Sequence, residues 1–87
     1  MQFAEADLRS ARFESVEFAN TLFENSDLSD AVFEDIDLIG LEFENVDLSG
    51  ANLEHARNVR PQLLAGACGN ADTRLPPGME IKPCRAG

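Results

Sequence analysis

Bulky apolar residues recur at every fifth position along the first part of this chain. They are Phe3, Leu8, Phe13, Phe18, Phe23, Leu28, Phe33, Leu38, Phe43, Leu48 and Leu53. Two positions before each stands a second residue, small or apolar: Met1, Ala6, Ala11, Val16, Thr21, Ser26, Ala31, Ile36, Leu41, Val46 and Ala51. The remaining positions are mostly polar, and the register does not slip between residues 3 and 53. A period of five fits neither regular element. It carries side chains around an α-helix instead of along one stripe, and it breaks the two-residue alternation of a strand at every junction. A chain that turns a corner every five residues satisfies it, with two residues of each unit pointing inward. The corner slot holds Asn20, Asn25, Asp30, Asp35, Gly40, Asn45 and Gly50, residue types that turns favour.

Units such as Ala6-Asp7-Leu8-Arg9-Ser10 and Ala51-Asn52-Leu53-Glu54-His55 resemble the repeat of the pentapeptide-repeat proteins. The resemblance implies an all-β fold, a right-handed quadrilateral β-helix with four units per coil, over residues 1–57. Met1, Ile36 and Leu41 depart from the family's small-residue slot. With four units per coil, the inner residues stack in columns: Phe3-Phe23-Phe43, Leu8-Leu28-Leu48, Phe13-Phe33-Leu53 and Phe18-Leu38-Asn58. Strand spacing puts about 4.8 Å between layers. These columns are the expected structural core and fill the interior. Asn58 breaks the last of them.

After Leu53 the pattern decays, and residues 58–87 read as a cap. Pro61 suits the first turn of a short helix over about 61–68, and Gly69 suits its end. Leu63, Leu64 and Ala67 are placed to cover the last coil, since a repeat stack needs a lid over its open core. Residues 70–87 read as an extended Pro-rich tail, with turn signals at Asn70-Ala71-Asp72 and Pro76-Pro77-Gly78. The run from Cys68 through Leu75-Pro76-Pro77-Gly78 to Cys84-Arg85 resembles the C-terminal tails of bacterial members of that family. The first coil has no such lid. Either the chain is a fragment of a longer one or the bare first coil meets a partner; the simplest expected partner is a second copy, a homodimer with Phe3, Leu8, Phe13 and Phe18 at or near its seam.

Charge narrows the partners. The 87 residues carry a net charge of -9 and a pI near 4.3. Fourteen carboxylates in residues 1–55 face only Arg9 and Arg12, a balance of −12, whereas the tail has five basic residues against two acidic ones, a balance of +3. This excludes direct nucleic-acid binding and attraction to an anionic membrane, both of which need Lys and Arg. Stacked coils would align Glu14, Glu34 and Glu54 in one acidic ladder, Glu24 and Glu44 in another, and Asp7, Asp27 and Asp47 in a third. The two glutamate ladders are the candidate docking face. The Asp before each core Leu has a simpler role, bonding the turn backbone. The acidic, patterned N-terminus contains no secretory signal, so a cytoplasmic location is expected.

No catalytic or metal constellation emerges. Asp35-Ile36-Asp37-Leu38-Ile39-Gly40 starts like a calcium loop, but Ile39 and Val46 occupy ligand positions. His55 reads as an exposed corner residue. Cys68 and Cys84 read as reduced thiols, with Cys68 under the helix, although a bridge between them would staple the tail. No Gly-rich phosphate loop, nucleophile–His pair or cofactor motif is present. The expected function is therefore a non-enzymatic structural or protein-interaction module without a cofactor. The family resemblance offers an alternative, because some members mimic duplex DNA and bind type II topoisomerases such as DNA gyrase. Under three coils span only roughly 14 Å, about four base pairs of duplex at 3.4 Å each.

Overall fold

The computed structural model describes residues 2–84; Met1, assigned above to the first inner slot, and Arg85, in the tail motif, lie outside the described residues. The five-residue period becomes a β-solenoid of about three turns. Strands β1 (Gln2–Ala4), β3 (Thr21–Glu24) and β5 (Leu41–Glu44) pair in parallel, with Phe3 on Phe23 and Phe23 on Phe43. On another side β2 (Arg12–Phe13) pairs with β4 (Val32–Phe33), Phe13 on Phe33. Single bridges Asp7–Asp27–Asp47 and Asp37–Arg57 tie the remaining sides together. Along the column Phe3–Phe23–Phe43 each register step covers four of the five-residue units, so one turn of the solenoid is four units long.

Corners come in two alternating kinds. After Leu8, Phe18, Leu28, Leu38 and Leu48 the core residue's carbonyl accepts a hydrogen bond from the N–H three residues on, as Ala31 donates to Leu28 at 3.1 Å. After Phe3, Phe13, Phe23, Phe33 and Phe43 the corner is an open bend. All five of those Phe lie in paired strands, so the straight sides carry rings and the tight corners, Phe18 apart, carry Leu. Both kinds need a left-handed residue at the corner slot. Residues 5, 10, 15, 20, 25, 30, 35, 40, 45 and 50 all have φ between 52° and 83°. Asn, Asp and Gly enter this region most easily. The second and third coils use only those three, whereas the first uses Glu5, Ser10 and Ser15. Gly40 is constrained twice, because a Cβ there would lie 2.8 Å from the Ala19 Cα. Hydrogen bonds between coils offset this backbone strain, among them Ser10 N–H to the Ser29 carbonyl and Asp30 N–H to that of Ser49, both 2.8 Å.

The core is the inner columns. Phe23, Leu28, Phe33, Leu38, Leu48 and Leu53 are all 1% exposed or less. Ring centroids stack at 5.0 Å for Phe3–Phe23 and 4.8 Å for Phe13–Phe33. Phe18 meets Phe23 edge-on at 6.0 Å. The buried hydroxyls of Thr21 and Ser26 are satisfied inside the coil: Thr21 Oγ1 donates to the Ala19 carbonyl, and Ser26 Oγ donates to the Glu24 carbonyl and accepts from Ala6 N–H.

The fourth column is not broken at Asn58. Asn58 takes φ 62° and turns outward to donate from Nδ2 to Asp37 Oδ1 at 2.6 Å. Val59, 7% exposed, joins the core one residue later. From there the register is longer by a single position: β6 (Val46–Asp47) pairs with β7 (Ala67–Gly69), Val46 on Ala67 and Asp47 on Cys68. The expected helix over 61–68 is shorter, α1 (Pro61–Ala65). It ends at Gly66, where a Cβ would lie 1.9 Å from the Phe43 carbonyl oxygen, so only glycine lets the chain drop back into a strand. The helix caps β5 with the buried Leu63 and Leu64, and Ala67 to Gly69 form a fourth-layer strand. The tail then crosses over. Arg74 bridges Asn52, and β8 (Lys82–Pro83) pairs with β7. Leu75, Met79 and Ile81 pack on the core cluster. Among the described residues no helix is long and apolar enough to cross a membrane.

Truncating a column residue leaves a cavity between two layers that cannot collapse without losing register. Leu28→Ala is expected to cost about 2–5 kcal/mol in urea unfolding. Ile39→Ala, at a 61% exposed corner position, is expected to stay within about 0.5 kcal/mol.

Candidate functional site

With the core closed, chemistry is confined to outward side chains, and the register determines which of them meet. The β1–β3–β5 side presents Leu22, Glu24, Glu42 and Glu44 from neighbouring strands, with Glu24 directly beside Glu44. Its corner carries an amide ladder, Asn45 Nδ2 donating to Asn25 Oδ1 at 2.8 Å. Gln2 Nε2 donates to Glu24 Oε1 at 3.4 Å. Among the described residues no Lys or Arg forms an ion pair with Glu24, Glu42 or Glu44.

The other glutamate ladder is compensated. Arg12 bridges Glu14 and Glu34, with Nη2 3.0 Å from Glu34 Oε2. Arg74, brought over by the tail, lies 3.4 Å from Glu54 Oε1. The two ladders read as equivalent in sequence therefore differ in net field. The signal that separates them, Arg12 one coil below Glu34 and Arg74 beside Glu54, exists only once the register and the path of the tail are known.

The aspartates before the core leucines hold turns. Asp27 Oδ1 accepts from Ser29 N–H at 2.9 Å and from its hydroxyl at 2.5 Å. Asp47 Oδ1 accepts from Ser49 N–H, and Asn52 Oδ1 from Glu54 N–H. Asp7 Oδ1 accepts from Arg9 N–H and lies 2.8 Å from Arg9 Nε. The Arg9 guanidinium, more than the backbone N–H, holds the Asp7 carboxyl below its ordinary value near 3.8. Asp37 is lowered by the Asn58 amide first and then by Ile39 N–H. His55 is exposed at its corner.

Two of the concavities that border the first coil bear on its chemistry. An open notch of about 610 Å³ separates it from the second coil beside Val16 and Glu17, lined also by Arg12, Ile36, Asp37 and Arg57. Its guanidiniums are engaged, Arg57 with Asp35 at 3.1 Å and Arg12 with Glu34. An apolar cavity of about 200 Å³ opens at the start of the stack among Phe3, Leu8, Phe13, Phe18 and Phe23.

The cysteines correct the expectation of reduced thiols: Cys68 and Cys84 form a disulfide with Cα atoms 4.6 Å apart. Nor is Cys68 under the helix, for it lies in β7. The cause is the crossover of the tail, which pairs Lys82 with Cys68 and lets Cys84 N–H donate to the Gly69 carbonyl at 3.1 Å. That pairing closes a long excursion with no periodic pattern, so the sequence offers the bridge as an alternative without reporting the approach that forms it. Asp47 lies on the neighbouring strand, its Oδ1 3.2 Å from Cys84 Sγ.

A family model described as pentapeptide repeats matches the chain in eight copies, over residues 2–38 and 17–54. No curated protein and no solved structure matches it.

The lowered carboxyls yield a test of the turn chemistry. A folded value below the unfolded one contributes stability that is present above about 3.8 and is lost as pH falls through the folded value. In a carbon-detected NMR titration Asp7 and Asp37 are expected to titrate below free aspartate. Asn58→Ala is expected to move Asp37 upward and leave Asp7 in place.

Proposed function

The chain belongs to the pentapeptide-repeat family, and from that premise we propose that it is a non-enzymatic protein-interaction module whose β1–β3–β5 side docks a basic segment of another protein. The observation that carries this reading is the uncompensated charge of Glu24, Glu42 and Glu44 around Leu22, on the longest strand pairing among the described residues. Three parallel strands hold the backbone beneath these carboxylates on a paired frame, so little backbone ordering is left to oppose binding. A lysine-rich strand or helix laid across them would gain both charge complementarity and the apolar contact of Leu22. Catalysis fits poorly. A general acid at neutral pH needs a carboxyl raised by burial, and the Asp37 carboxyl at the notch is shifted downward.

The alternative is mimicry of duplex DNA toward a type II topoisomerase such as DNA gyrase. Acidic ladders along a rod support it. Arg12, Arg57 and Arg74 interrupt the charge, and three layers cover few base pairs, which weakens it.

Calorimetry with an oligolysine peptide separates the two glutamate ladders. The triple variant Glu24→Gln, Glu42→Gln, Glu44→Gln is expected to weaken binding at least fivefold at low salt, and Glu14→Gln, Glu34→Gln, Glu54→Gln less than twofold. Equal losses would reduce the reading to net charge alone. Inhibition of gyrase supercoiling at micromolar protein would replace it with the alternative.

A second copy is the proposed occupant of the first coil. Of the four residues expected at the seam, Phe3, Leu8 and Phe13 are only partly buried, whereas Phe18, 4% exposed, is already closed into the core, and Phe23, Leu28 and Phe33 one layer up are 1% exposed or less. The same coil carries Arg9 and Arg12, which moderate repulsion between two acidic chains. Light scattering is expected to give a dimer at micromolar concentration and a monomer for Leu8→Glu; a monomeric parent would remove the dimer.

A further inference from the structure

Every member of the Asp ladder caps its turn through the N–H two residues on, but the partner beyond that cap differs. Asp7 has the Arg9 guanidinium as partner, and Asp27 has the Ser29 hydroxyl at 2.5 Å. Asp47 has its turn N–H, from Ser49 at 2.9 Å, but faces sulfur beyond it. Its Oδ1 lies 3.2 Å from Cys84 Sγ, and the Ser49 hydroxyl is turned to 3.5 Å from the same atom. A disulfide sulfur has no proton to donate, so the oxidised pair offers this carboxylate no counterpart. A thiol would offer one, and so would a cation shared with thiolates. The three donor atoms of Asp47, Cys68 and Cys84 all lie within 4.8 Å of one another and are half-buried.

We propose that the reduced form of this cluster is a binding site for a thiophilic divalent cation of the zinc class, with Cys68 and Cys84 thiolates and the Asp47 carboxylate as ligands and water completing the shell. Zinc takes thiolate sulfur at about 2.3 Å and carboxylate oxygen at about 2.0–2.2 Å, usually in a tetrahedron. Edges of that tetrahedron run to roughly 3.5–3.8 Å by the same distances. The separation of Asp47 Oδ1 from Cys84 Sγ, 3.2 Å, is near that already; reduction frees the two sulfurs to part, and Cys68 Sγ, within 4.8 Å of the carboxylate, adjusts to complete the set.

The frame allows this because the donors do not depend on the S–S bond for their placement. β6, β7 and β8 are three adjacent parallel strands that present one donor each or end beside it. The end of the tail is held independently by the Cys84 N–H bond to Gly69 and by Lys82 Nζ on the Ala65 carbonyl at 2.5 Å. The chemistry balances with a dithiol reductant. It delivers two electrons and two protons, the S–S bond breaks, two S–H bonds form, and the reductant closes its own disulfide. Cation binding then releases both thiol protons to solvent. In a reducing compartment the pair would stand open, which makes the metal-bound form the relevant one there.

Cobalt(II) is the probe. The reduced chain is expected to take one equivalent with a thiolate-to-cobalt charge-transfer band that zinc displaces, and the oxidised chain none. Asp47→Asn is expected to weaken binding at least roughly tenfold while keeping the band. Asn52 already holds an equivalent turn with an amide oxygen, so the fold should tolerate this change. Asp27→Asn, the same cap one layer below, is the control and should bind as the parent does. Absence of the band in the reduced parent would overturn the site, and equal affinity in Asp47→Asn would remove Asp47 from it.

Discussion

One backbone constraint underlies this molecule: every fifth residue must enter the left-handed region so that the chain can turn a corner. That conformation costs roughly 1–2 kcal/mol for most residues, and the solenoid repeats it at every corner from Glu5 to Gly50. The corners are tolerable because each brings a new side into register with the coil below. There, backbone hydrogen bonds and a buried ring or leucine are gained together. Corner and column are thus one cooperative unit, as in other repeat proteins whose layers touch only their neighbours. The first coil shows the dependence in reverse. It has the poorest corner residues, Glu5, Ser10 and Ser15, and columns covered on one side only.

The same regularity makes the surface chemically informative. Outward positions recur once per coil, so a single residue choice becomes a ladder. Whether a ladder is a field or merely a solvated row then depends on a few arginines. Arg12 and Arg74 quench one glutamate row, and the row beside Leu22 has no such neighbour among the described residues.

The repeat and its core were legible in the sequence because each inner position sees the same environment one coil away. Phe3, Phe23 and Phe43 announce their own pairing. The rest was hidden wherever contact depends on a path that is not periodic. Asn58 reads as a broken column, yet a left-handed turn of its own lets Val59 take the place. The helix stops at Gly66 because of the Phe43 carbonyl, a neighbour in space that is remote along the chain. Cys84 reaches Cys68 only because the tail adds a strand to β7. The two kinds of corner do leave a mark in the sequence. From Leu28 onward, Leu preceded by Asp alternates with Phe followed by Glu, and this distinguishes the turned corners from the open ones.

That alternation gives the rod a parity. Open bends fall after odd-numbered units and hydrogen-bonded turns after even ones, up to Leu48. Leu53, preceded by Asn52, makes a hydrogen-bonded turn where a bend was due, with Ala56 N–H on its carbonyl at 3.1 Å. The left-handed slot at His55 then disappears, and the five-residue register gives way to the longer path of the cap. Duplicating or deleting a single pentapeptide would throw every later corner out of phase. Such a rod can lengthen smoothly only by pairs of units for its corners, and by whole coils for its columns. The quantum of growth is larger than the repeat that the eye picks out, and the unit of the wrong parity is the last before the five-residue register gives way.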